Sequence, residues 1–337
     1  MKNGRSFRFG ATVLGLGAML GATLAPVLSV AAAEKIRLST YVNEVDIRYE
    51  GFKHFADLVK AKTDGRVEVE IFPSATLHGW ADGVDAVTGG VADVSWISYD
   101  KRLPCYRAGA FYPAVVNLEN QVEMDAKITE ILADEAAKMG LINVFSSNYS
   151  YDQEWWFKGR VDDISKLEGK QVRSIGPLVS MMIETWGGKP VFVAPKEVFQ
   201  SAERGVVDGI NMGVATYSSW KLWTVMPYMV NASLFYGNIM YMMNKSKFDS
   251  LSPADQKAIL EAGHETEIWL KPHYEAWINE RVGDAVMKGG GAAVSLPLEE
   301  SKRLVAQIQP AWNEELRATC PKETAEKIIE TIGSYAK

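Results

Sequence analysis

The feature that most restricts how this chain can fold is an order of elements that occurs twice and carries the same short pattern each time. In the first half, Lys35 to Thr40 reads as a strand, and Phe52, Phe55, Leu58 and Val59 recur at helical spacing up to the stop at Thr63-Asp64-Gly65. Arg66 to Ile71 then alternates polar and apolar residues with period two, a half-buried strand. A helix from about Gly79 to Thr88 leads through Gly89-Gly90 into a strand over Val91 to Ile97. The second half repeats this: a strand at Gln171 to Ser174, a helix at Leu178 to Trp186 stopped by Gly187-Gly188, a strand at Pro190 to Val193 and a helix at Pro195 to Arg204. There Gly205-Val-Val-Asp208 echoes Gly90-Val-Ala-Asp93. Strand, helix, strand, helix, strand, written twice, predicts an α/β protein of two similar lobes, each a largely parallel sheet with helices on its faces.

The remainder of the chain departs from that pattern. Ile239 to Asn244 reads as a strand, and Ser252-Pro253 opens a helix with a capping hydroxyl and a proline at its first position. That helix can run to about Lys288, with Gly263 and Pro272 as bends, and at such a length it can lie across both lobes. Helices near Leu298 to Ile308 and Lys322 to Tyr335 finish the chain. No low-complexity linker divides the halves, so several crossing strands are expected to join them as a hinge. The lobe bounds expected are 34–150 with about 238–278 for the first, and 151–237 with about 279–337 for the second.

Lys2, Arg5 and Arg8 precede an uncharged run that ends in Ala31-Ala-Ala33 before Glu34, the layout of a secretory signal cleaved after Ala33. Three of the 36 basic residues lie in that leader, so the exported chain sets 33 basic against 42 acidic residues, a balance of −9 that excludes nucleic acid as a natural partner. Net charge does not exclude anions, because a cleft is governed by its local donors. Two cysteines, Cys105 and Cys320, travel to an oxidising compartment, either as a disulfide or as two isolated buried thiols.

Catalytic patterns are not found. His54, His78, His264 and His273 lack the short spacing of a helical zinc site, no Gly-x-Ser-x-Gly elbow occurs, and Gly188-Lys189 lacks the upstream glycine of a phosphate loop. No metal or cofactor is expected, and no positive argument for an enzyme remains. A candidate binding residue does appear: in open α/β sheets the ligand crevice lies beyond the carboxyl ends of the strands, and Arg173 stands at such an end. Its guanidinium either clamps an anion, helped by backbone donors of the helix opening at Pro177, or forms a structural salt bridge.

Leu167-Glu-Gly-Lys-Gln-Val-Arg173, Gly188-Lys-Pro-Val191, Glu197-Val-Phe-Gln-Ser-Ala202 and Gly205-Val-Val-Asp-Gly209 together resemble the DctP-type solute-binding subunits of tripartite ATP-independent periplasmic (TRAP) transporters. Phe55-Ala-Asp-Leu-Val59, Thr63-Asp-Gly-Arg-Val67 and Phe72-Pro-Ser74 add the N-terminal part of that likeness, which spans essentially the whole exported chain. The resemblance implies a two-lobed periplasmic binding protein that captures a small organic acid anion and delivers it to the small and large membrane subunits. It assigns the ligand carboxylate to Arg173 and a polar contact to Asn211, which stands one residue out of the usual register. Where some members carry a second arginine, this chain has Asp152-Gln-Glu-Trp155-Trp-Phe157, so Trp155 and Trp156 occupy the stretch in which that cation would stand. Trp155, Trp96, Tyr99 and Tyr217 are the expected aromatic walls, with Tyr149 and Tyr151 nearby, suited to a monocarboxylate with an apolar or aromatic body. A binding protein feeding a sensor or an ATP-driven importer is the neighbouring alternative, and a periplasmic lyase or hydrolase a more distant one.

Overall fold

The computed structural model describes residues 32–147 and 153–337, the side chains at 118 and 282–286 apart. The leader up to residue 31, with Tyr149 and Tyr151, lies outside the described residues. Two sheets dominate the rest. The first runs Val67–Phe72, Glu34–Ser39, Val94–Trp96, Met240–Asn244, Leu141–Ser146, and the second runs Lys189–Phe192, Gln171–Ser174, Gly209–Gly213, Gln153–Phe157, Tyr228–Asn231, Ala293–Ser295. In each, the first three strands are parallel and the fourth antiparallel.

That fourth strand comes from the other lobe. The chain leaves the first sheet by Leu141–Ser146 and enters the second as Gln153–Phe157; it leaves by Tyr228–Asn231 and returns as Met240–Asn244. Each crossing therefore runs from the fifth strand of one sheet to the fourth strand of the other, which makes the joint part of both sheets.

The duplicated Gly-x-x-Asp pattern now has a physical reason. Gly90 and Gly205 hold φ values of 74° and 77°, where glycine carries no Cβ penalty, and each closes the turn after a helix. Asp93 donates its N–H to the Arg37 carbonyl (2.9 Å) while its carboxylate accepts the Arg37 N–H (2.8 Å). Asp208 does the same to Gln171, at 2.7 and 2.9 Å. In both lobes the aspartate locks the third strand against the first, so the pattern marks one structural role used twice.

The long helix is continuous over Pro253–Lys288 and packs on Ile47–Lys62 and Leu141–Ser146 of the first lobe and on Val214–Ser219 of the second. Gly263 serves a close approach where a bend was expected: a Cβ there would stand 1.8 Å from the Val144 carbonyl oxygen. Pro272 lies inside the helix without ending it.

The C-terminal segment differs from the expectation that residues 279–337 belong wholly to the second lobe. Ala293–Ser295 does join the second sheet, but Leu298–Thr319 bridges the lobes, bonding Gln307 to Trp186 on one side and Trp312 to the Ala108 carbonyl on the other. Lys322–Ser334 packs on helices of the first lobe, and the last residues hydrogen-bond Asn117 and Val115. The reason is local: Cys105 and Cys320 form a disulfide, Cα atoms 5.0 Å apart, that holds the tail to the first lobe.

A crosslink 215 residues apart in sequence limits the unfolded chain strongly, by about 5 kcal/mol in the chain-entropy view. Cys105→Ser with Cys320→Ser is expected to lower the melting temperature and leave the ligand-free far-UV spectrum unchanged. An unaltered melting temperature, or two free thiols by mass spectrometry of unreduced protein, would contradict this.

Candidate functional site

Arg173 sits on Gln171–Ser174, in register with Ile210 and Lys189–Phe192 beside it. It is 1% exposed, and it has no acidic partner among the described residues. Nε donates to the Val193 carbonyl (3.0 Å), and Nη1 donates to the Asn211 carbonyl (2.6 Å) and approaches the Met212 sulfur at 4.0 Å. No described protein acceptor receives Nη2. Burial pushes the guanidinium down to about 9, against the opposing influence of the Tyr41 and Tyr99 hydroxyls, so it remains charged at neutral pH. A buried cation without a counter-ion is costly unless something supplies one.

The other side of the site belongs to the first lobe. Tyr99 follows strand Val94–Trp96, is packed on Phe111 with ring centroids 4.7 Å apart, and meets Gly176 of the second lobe. Its buried hydroxyl has no hydrogen-bond partner among the described residues. Burial raises its pKa well above the ordinary value, Tyr106 adding to the rise while Arg107 and Arg173 oppose it. Tyr41, after strand Glu34–Ser39, packs edge-on against Trp80 and Trp96. Trp96 is fully buried, donates Nε1 to the Trp80 carbonyl and stacks on His78. Tyr99 is thus brought to Arg173, while Trp96 backs the wall that Tyr41 and Trp80 form.

The second-lobe candidates separate. Strand pairing places Arg173, Ile210 and Trp156 on one face of the sheet and Asn211 and Trp155 on the other. Asn211 reaches Arg173 through its main-chain carbonyl; its side-chain Nδ2 donates to the Glu154 carbonyl (3.2 Å) and Oδ1 has no partner among the described residues. Trp155 packs edge-on against Trp186 inside the lobe. Tyr217 differs most from the aromatic wall expected of it: it stacks on Trp156 with centroids 3.5 Å apart and donates its hydroxyl to the Met226 carbonyl, a core residue with every polar need met.

A second buried arginine escaped the sequence reading. Arg48, in the first turn of Ile47–Lys62, is 1% exposed and grips Asp46 through Nε (2.9 Å) and Nη2 (2.6 Å). It also donates to the Tyr41 hydroxyl (2.9 Å) and, across the lobes, to Thr216 Oγ1 (2.6 Å). Burial would pull its pKa down, but Asp46 and the nearby tyrosines outweigh that and hold it well above the usual range. Its only sequence signal was Asp46-Ile-Arg48 at a helix start, which looks like an exposed capping pair. Lys196 makes another cross-lobe bond, to the Ala75 carbonyl at 2.8 Å. Ser74 and Ala75 both hold left-handed φ, 58° and 51°, strain that aims this carbonyl at the second lobe.

Among the described residues, Arg173 is thus a buried cation with carbonyl partners and no carboxylate, close to where the two lobes touch. The sequence profile described as bacterial extracellular solute-binding protein, family 7 (DctP) matches residues 38–112 and 120–318. The chain belongs to this family. The solute-binding protein is 26% identical over 335 residues to the C4-dicarboxylate-binding periplasmic protein DctP of Rhodobacter capsulatus, covering 95% of this chain and 96% of that one. Among solved structures, it is similar to DctP7 of Bordetella pertussis, a receptor binding pyroglutamic acid (TM-score 0.77, 22% identity, 89% of this chain and 100% of that one). It is also similar to a TRAP periplasmic solute-binding protein of Desulfovibrio salexigens with bound orotic acid (TM-score 0.80, 18% identity, 89% and 98%). These structural likenesses show the two-lobed fold, and the family is one of periplasmic binding proteins.

The Asp46–Arg48 pair tests how the solute-binding protein keeps its lobes together. Asp46→Asn leaves Arg48 buried with less than its charge compensated and is expected to cost about 3–5 kcal/mol in denaturant unfolding. Thr216→Val, which removes one neutral acceptor, should cost far less. Equal effects of the two would show that charge compensation is not what Asp46 contributes.

Proposed function

We propose that this protein captures a small organic monocarboxylate between its lobes, with Arg173 as the anion clamp, and delivers it to the membrane subunits of a TRAP transporter without chemical turnover. The observation that carries this reading is the Arg173 guanidinium itself: buried, charged at neutral pH, and provided by the described residues with carbonyls but no carboxylate. A ligand carboxylate supplies the missing charge and accepts from the free edge of the fork. Tyr99 closes over it from the first lobe, and its unpartnered hydroxyl offers the ligand a second contact.

Two of the structural relatives support the ligand class by analogy, since pyroglutamic acid and orotic acid are compact cyclic monocarboxylates, whereas the Rhodobacter capsulatus relative is named for C4-dicarboxylates. Leader cleavage after Ala33 would free the protein in the periplasm, and the lobes at 34–150 and 151–237 would close about the crossing strands. The ligand then stabilises the closed form through contacts made only there.

Arg173→Ala is expected to abolish carboxylate binding in calorimetry while the fold survives, a loss of about 2–5 kcal/mol, or roughly thirty-fold to several thousand-fold in affinity. Arg173→Lys keeps the charge, loses the planar fork and should still bind poorly. Affinity within a few-fold of the parent, with a lowered melting temperature, would assign Arg173 a structural role instead.

Selectivity follows from how the two buried arginines are used. Arg48 is committed to Asp46, which leaves Arg173 as the site's uncompensated cation. Pyroglutamate and orotate are therefore expected to bind more tightly than succinate or malate. The reverse order in calorimetry would require a second cation serving the site.

A further inference from the structure

We infer that Gly176 and Tyr99 form the seat on which the lobes close, and that the absence of a side chain at 176 sets whether the site can complete itself. This rests on the reading of the cleft as a closing solute site.

Gly176 immediately precedes helix Pro177–Thr185 and stands in extended backbone (φ 173°, ψ −176°), which any residue can adopt. Conformation therefore does not require glycine here. Space does: a Cβ at 176 would lie 2.0 Å from Tyr99 Cε2 and 2.4 Å from both Cδ2 and Cζ. Such a clash is with the body of an aromatic ring rather than with the far end of a flexible chain, so the tyrosine can relieve it only by moving as a whole.

Its surroundings oppose that movement. Phe111 supports the Tyr99 ring from the first lobe, its own strand pairing with the returning segment Tyr236–Gly237. Beside this contact, the Tyr99 hydroxyl and the Arg173 guanidinium lie within electrostatic range of each other. A methyl group at 176 thus holds the lobes apart at the point where the anion clamp is covered, even though it touches neither charge. The Lys196–Ala75 bond, which joins the lobes elsewhere, reports whether closure has occurred.

The experiment places spin labels at Thr76 and Glu197, exposed neighbours of that cross-lobe bond, and measures their separation with and without pyroglutamate or orotate in the disulfide-intact protein. The parent should show a short-distance population, Gly176→Ala should lose it, and Gly176→Ala with Tyr99→Ala should regain it. Affinity should follow the same coupling: Gly176→Ala costs about tenfold or more in the parent but about twofold or less once Tyr99 is alanine. A short-distance population unchanged by Gly176→Ala, one absent from the parent in every condition, or equal costs in both backgrounds would overturn the proposal. Failure of the carboxylate reading is a separate result, seen when Arg173→Ala binds as the parent does while the distance measurements still obey the Gly176–Tyr99 coupling.

Discussion

The rest of the site is organised around a charge that the fold buries without neutralising. Arg173 is removed from water by the second lobe's own strands and given two backbone carbonyls. Carbonyl dipoles solvate part of the guanidinium and orient its fork, but they do not cancel its charge. The free energy withheld by the missing counter-ion is available to a ligand that brings one. A structural salt bridge would have used that free energy during folding. In this protein the desolvation is carried by the packed lobe, and on the proposed reading a solute carboxylate supplies the compensation.

Such a site works only if the lobes can part and return to the same register, and the crossing segments are built for that. Each joins the fifth strand of one sheet to the fourth strand of the other, so both lobes hold both connections. Buried carboxylates anchor their ends: Glu154 accepts the N–H of Ala232 at 2.7 Å, Glu267 accepts that of Ser146 at 2.6 Å, and Asp125 accepts the Tyr236 hydroxyl at 2.6 Å. Hydrogen bonds to buried side chains at the ends of a crossing fix where it leaves each lobe. The disulfide and the bridging helix Leu298–Thr319 add a third link, which limits the motion to one that keeps the tail on the first lobe.

Much of the architecture was legible because it is written in periodicity and punctuation. The strand Gln171–Ser174, the helix that follows it and the extent of the long helix were readable from spacing, though not its unbroken course through Gly263 and Pro272, and the paired Gly-x-x-Asp pattern proved to be the same strand lock in each lobe. The site was only partly legible, for a physical reason. Arg173 could be proposed because a strand end in an open sheet is a place where function gathers. Arg48 was invisible because its importance comes from Thr216 and Tyr41, distant in sequence or silent in pattern, closing around it. Tyr217 misled for the complementary reason: an aromatic near a cleft strand says nothing of whether its own lobe already covers it, and here it is stacked on Trp156 with its hydroxyl bonded to the Met226 carbonyl. Gly176 carried no signal at all, since its need for glycine arises from a ring on the other lobe.

On the proposed reading, the two buried arginines explain how a chain with an acidic surface can hold an anion site without contradiction. Both are 1% exposed, and both sit where the lobes meet. One carries its counter-ion two residues away in sequence, so its charge is matched from the moment the helix forms, and it can spend its remaining donors on the other lobe. The other is surrounded by neutral groups alone among the described residues, so its field is felt in the cleft and scarcely beyond it. Far from the protein, an approaching anion meets a net negative surface that solvent and salt screen over about 8–10 Å. Inside the closed cleft, screening is gone and the nearest uncompensated charge decides. Selectivity for an anion is therefore a property of where compensation is withheld, and in this fold it is withheld at Arg173.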